Sequence, residues 1–75
     1  MPTVASKIMA EYFMHRASVF EALGMLDHAR LDLQRILDAD PLFAQRYHDQ
    51  AVLLEKSGME EEANQIRQFL LKLYV

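Results

Sequence analysis

Apolar residues recur every three or four positions along most of the chain, and three short breaks separate the runs. The breaks fall at Gly24, at Asp40-Pro41 and at Gly58. Glycine readily adopts the left-handed conformation that ends a helix, and Asp before Pro is typical of a helix start. The pattern therefore predicts an all-α chain of four helices. Their expected bounds are residues 3–23, 26–39, 41–57 and 60–74.

The spacing also predicts which side of each helix is buried. In the first helix the expected apolar face carries Ile8, Tyr12, Phe13, Ala17, Phe20 and Leu23. The connections between helices are short, so successive helices are expected to run antiparallel. No alternating run and no Asn-Gly or Asp-Gly turn indicates a β-strand.

The chain also repeats itself, with a period equal to the separation between Gly24 and Gly58 in the sequence. Aligning residues 10–41 with 44–75 places eight identical pairs in register. They are Ala10/Ala44, Ala17/Ala51, Glu21/Glu55, Gly24/Gly58, Met25/Met59, Ala29/Ala63, Gln34/Gln68 and Leu37/Leu71. Small residues and turn glycines in phase indicate two copies of a helix-turn-helix unit. The alternative is a four-helix bundle whose internal symmetry is accidental.

This arrangement resembles the tetratricopeptide repeat family. The residues that carry the resemblance are Phe13, Ala17, Phe20, Gly24, Ala29, Leu33 and Asp40-Pro41 in the first copy, and Tyr47, Ala51, Leu54, Gly58 and Ala63 in the second. It implies a single domain over residues 1–75, with repeats at about 10–41 and 44–75 and an N-terminal helix extension at 3–9. It also implies a superhelical stacking of helical pairs and a role in binding other proteins.

Three residues depart from the family pattern. Arg16 and Gln50 stand where the family usually has leucine, and Arg67 stands where a large apolar side chain is usual. We interpret them either as polar contacts to a partner or as a loosened repeat.

The resemblance also implies a peptide-binding groove, lined by the first helix of each pair. The matching positions are Met14, Ser18, Glu21, His48, Val52 and Glu55. Such a mildly acidic and apolar groove would suit an amphipathic or basic helix.

Two repeats are fewer than the three or so that usually bury a continuous core. The last helix is therefore expected to expose an apolar interface. Its residues are Ile66, Phe69, Leu70, Leu73 and Tyr74. The first turns of the first helix add Val4, Ile8 and Met9. Exposed apolar surface of this extent predicts another protein as a partner or a homo-oligomer.

Composition narrows the function classes further. The net charge of −3 argues against nucleic-acid binding, which needs a basic surface. No apolar run is long enough for membrane insertion, and the N-terminus lacks the apolar core of a signal peptide. With no cysteine in the chain, a cytoplasmic location is expected.

Few residues in the sequence suggest metal binding or catalysis. Glu11 with His15, and His48 with Asp49, have spacings that a divalent metal could use, but such residues are usually exposed polar side chains. Glu60-Glu61-Glu62 suits the positive end of a helix dipole better than a calcium loop. No nucleophile motif or phosphate-binding loop is present. We therefore expect no enzyme activity, no metal and no cofactor.

Two hypotheses for function remain. One is a small adaptor or chaperone that binds an amphipathic helix or peptide of a partner. Similar small helical-repeat proteins serve as chaperones for the needle subunits of bacterial type III secretion. The other is a self-associating structural protein that forms a homo-oligomer through its uncapped terminal helix.

Overall fold

The structure is a computed structural model that describes residues 3–74. This part of the chain contains four helices and no strand, namely α1 (Val4–Ala22), α2 (Leu26–Ala39), α3 (Phe43–Lys56) and α4 (Glu60–Leu73). The predicted all-α class is confirmed, and α1, α2 and α4 begin and end within one residue of their predicted bounds.

The start of α1 is fixed by a side-chain cap. Thr3 has an extended backbone, and its hydroxyl oxygen accepts a hydrogen bond of 3.1 Å from the backbone N–H of Ser6. That bond satisfies one of the N–H groups that the first helical turn leaves without a partner.

The turn between α1 and α2 depends on the left-handed conformation of Gly24, whose φ is 75°. The Gly24 N–H donates to the carbonyl of Glu21 at 3.0 Å, and the Met25 N–H donates to the carbonyl of Phe20 at 2.8 Å. These two bonds form a Schellman motif, which satisfies carbonyls at the end of a helix.

The turn between α3 and α4 has the same geometry at the matching position of the second repeat. Gly58 has a φ of 81°. Its N–H donates to the carbonyl of Glu55 at 3.0 Å, and the Met59 N–H donates to the carbonyl of Leu54 at 2.9 Å. The sequence period is therefore also a period in backbone structure.

The start of α3 differs from the prediction, which began the helix at Pro41. Residues 40–43 instead form a turn, in which the Phe43 N–H donates to the Asp40 carbonyl at 3.0 Å. The Asp40 carboxylate accepts a second bond, of 3.2 Å, from the Leu42 N–H. Asp at the first position and Pro at the second are preferred in such turns, so the helix begins only at Phe43.

The chain divides into two compact units, the first ending at Phe43 and the second beginning at Ala44. In the first unit α1 packs against α2, and in the second the Tyr47 ring on α3 lies against the Phe69 ring on α4. The alanines that the repeat places in register, Ala17 and Ala29 in the first unit and Ala51 and Ala63 in the second, are all buried. Small side chains at these points let helices approach closely.

The buried face of α1 agrees with the prediction only in part. Ala17 is buried and Phe13 and Phe20 are partly buried, but Ile8, Tyr12 and Leu23 are exposed. The reason is that α1 carries apolar residues on all sides, so spacing alone does not select one face.

Candidate functional site

A carboxylate is buried between the two helices of the first hairpin. Asp32, on the α1-facing side of α2, has no exposed surface. Arg16 of α1 approaches it with two parallel hydrogen bonds, from Nε to Oδ2 at 2.7 Å and from Nη2 to Oδ1 at 2.8 Å. Arg35 Nη1 donates to Oδ1 at 2.8 Å. Both oxygens of Asp32 therefore receive charged donors, which a buried carboxylate needs.

The Arg16 guanidinium is held in place by aromatic side chains of its own helix. Its carbon Cζ lies 5.1 Å from the ring centroid of Tyr12 and 5.7 Å from those of Phe13 and Phe20. Arg16 Nη1 also donates to the Tyr12 hydroxyl at 3.1 Å. Cation–π contacts and the two-pronged pairing together fix the orientation of the guanidinium.

These contacts keep both partners charged. The hydrogen bonds from Arg16 lower the pKa of Asp32 below its usual range, against an opposing effect of burial, and Arg35 adds to the lowering. Asp32 in turn raises the pKa of Arg16 above its ordinary value. Neither group exchanges protons near neutral pH. The pair is therefore an anchor between α1 and α2 and unsuited to acid–base chemistry.

The Arg16–Asp32 ion pair accounts for one departure from the repeat pattern, namely the arginine at position 16, where the family usually has leucine. Arg16 makes its polar contact inside the hairpin, with Asp32, which sequence reasoning did not single out. A signal was available, because Arg16 and Asp32 stand equally far from Gly24 on either side of it. Residues equally distant from a tight turn face each other in an antiparallel helical hairpin.

The second hairpin places its ion pair elsewhere. The positions of the second repeat that match Arg16 and Asp32 hold Gln50 and Ile66. Here Arg67 of α4 donates through Nη2 to a carboxylate oxygen of Glu55 on α3. Arg67, like Arg16, departs from the family pattern, and each of the two arginines makes a polar contact within its own hairpin.

The outward side of α1, together with its C-cap residue, carries five exposed apolar side chains. Together we call them the outward stripe, which consists of Val4, Ile8, Tyr12, Val19 and Leu23. Each of these residues is between 50% and 73% exposed. At about 100° of rotation per residue, the stripe lies opposite the buried Ala10 and Ala17. His15, also exposed, fills the gap between Tyr12 and Val19.

The predicted groove residues lie on two helices that belong to different units. On α1, Met14 and Glu21 are partly buried and Ser18 is exposed, with its hydroxyl donating to the Met14 carbonyl at 3.3 Å. On α3, Val52 is partly buried, whereas His48 and Glu55 are exposed. The groove that would combine the two sets remains a prediction.

The predicted interface on α4 is less exposed than expected. Ile66, Phe69, Leu70 and Leu73 are partly buried, and Tyr74 is exposed. Leu71, which the sequence did not single out, is also exposed. Among the described helices, α1 with its C-cap residue therefore carries the most exposed large apolar side chains.

The rest of the described surface offers little chemistry. Within residues 3–74 no three His, Asp or Glu side chains come together in a way that would hold a metal ion. An open, mainly polar depression of about 630 Å³ lies along α4. Its lining residues are Gly58, Glu60, Glu61, Asn64, Gln65 and Gln68. None of the helices in the described range is long and apolar enough to cross a membrane.

Comparison with known proteins found no relative of this chain. No protein-family model matches this chain, and no curated protein and no solved structure matches it either. Function is therefore inferred from the residues and contacts of the chain itself.

Proposed function

We propose that this protein is a protein–protein interaction module, an adaptor or small chaperone that docks an amphipathic helix. The observation that carries the proposal is the outward stripe. A surface helix normally has one apolar side, whereas α1 has one apolar side against α2 and another facing solvent. Exposed apolar surface of this kind is typical of interaction sites.

The shape of the stripe favours a helix as the bound element. Its side chains follow one another in steps of three or four residues when His15 is included, along a helix about 28 Å long. A second helix can place its own side chains between such rows, as in helix-in-groove recognition. Glu11 and Arg16 flank the stripe and provide the polar rim that interfaces commonly have.

The tetratricopeptide relationship belongs to the same proposal. It is supported by two glycine turns with the same hydrogen bonds at matching positions of the two repeats, and by buried alanines that also match. A chaperone for needle subunits of type III secretion is one member of the adaptor class that fits a chain of this size. Self-association through the last helix is the second candidate, and the exposed side chains of Leu71 and Tyr74 favour it.

The proposal can be tested by placing a photo-crosslinking amino acid at single positions in the full chain. Ile8 and Val19 sample the stripe, and Gln34 and Asp38, exposed on α2, serve as controls. In cells that express the protein, we expect adducts of discrete mass from the stripe positions and few from the controls. Equal yields from both sets, or none from either, would contradict the proposal.

A further inference from the structure

We draw no further inference here: the strongest candidate, the exposed apolar patch on the outward side of α1, carries nothing beyond the proposed function, because nothing in the structure shows what covers it.

Discussion

A carboxylate without exposed surface, such as that of Asp32, costs several kcal/mol to desolvate unless charged donors surround it. Its two donors, Arg16 and Arg35, differ in how much they contribute to the stability of the hairpin. Arg16 occupies both oxygens, crosses from α1 to α2 and stacks on aromatic rings, whereas Arg35 makes one bond within α2. Arg16 should therefore be the partner that holds the two helices together.

We expect Arg16→Met to lower the free energy of unfolding more than Arg35→Met, because the first change leaves a buried carboxylate with one donor. Asp32→Asn should cost about 2 kcal/mol, since charged hydrogen bonds are lost while both arginines can turn to water. Urea unfolding monitored by circular dichroism measures all three. Equal effects of the two arginine variants would contradict the assignment.

The same pair predicts a pH dependence. The folded-state pKa of Asp32 lies below the value of about 3.9 expected in the unfolded chain. Its contribution to stability is therefore complete above that value and is lost as pH falls through the folded-state pKa. The difference in unfolding free energy between the wild type and Asp32→Asn should be constant from pH 5 to 7 and shrink in more acidic solution. An unchanged difference at low pH would show that the charge is not involved.

At the scale of single residues, the sequence identified Arg16 as unusual but did not identify Asp32 as its partner. Arg16 stood out because the repeat pattern has leucine there, yet the position gave no way to choose between an internal and an external contact. Asp32 went unnoticed because aspartate on a helix is usually solvated. Its spacing from Ala29 and Ile36, which places it on the buried side of α2, was the missed indication.

At the scale of elements, the two turns are where single backbone angles matter most. Gly24 and Gly58 both have positive φ, and a Cβ added at either position would meet nothing within 4 Å. Substitution with alanine therefore costs backbone strain alone, about 1 kcal/mol at each position.

We expect Gly24→Ala and Gly58→Ala to lower the unfolding free energy by similar amounts and Asn at either position to cost less, because asparagine tolerates the left-handed region. Thermal unfolding measures the effect, with Gln45→Ala on the exposed side of α3 as the control. A much larger loss in one turn than in the other would show that the two turns are not equivalent.

The ends of a helix were predictable where only one residue type readily adopts the backbone conformation that ends it. Glycine placed the ends of α1 and α3 correctly because few other residues accept the required angle. The start of α3 was wrong by two residues, because Asp40-Pro41 suits both a helix start and a turn, and the turn precedes the helix. The buried side of α1 was not predictable, since periodicity selects a face only when the opposite face is polar.

At the scale of the whole molecule, the helical class followed from local spacing, whereas the binding surface did not. The predicted groove and the predicted α4 interface both came from resemblance to a repeat family. The outward stripe became visible only when the exposure of α1 was known. What occupies an apolar surface depends on a second molecule, which one sequence does not describe. The crosslinking experiment addresses that question directly.

The Arg16–Asp32 ion pair differs between the correct and the exchanged pairings of two hairpins that are similar in sequence. Similar hairpins can exchange helices, a common failure of repeat proteins. If α2 paired with α3, buried Asp32 would face Gln50, and if α1 paired with α4, Arg16 would face Ile66. Arg67 would still meet a glutamate, because both first helices carry one at that position. Either exchange would leave Asp32 or Arg16 without its charged partner, so the Arg16–Asp32 pair favours the pairing of α1 with α2 as the chain folds.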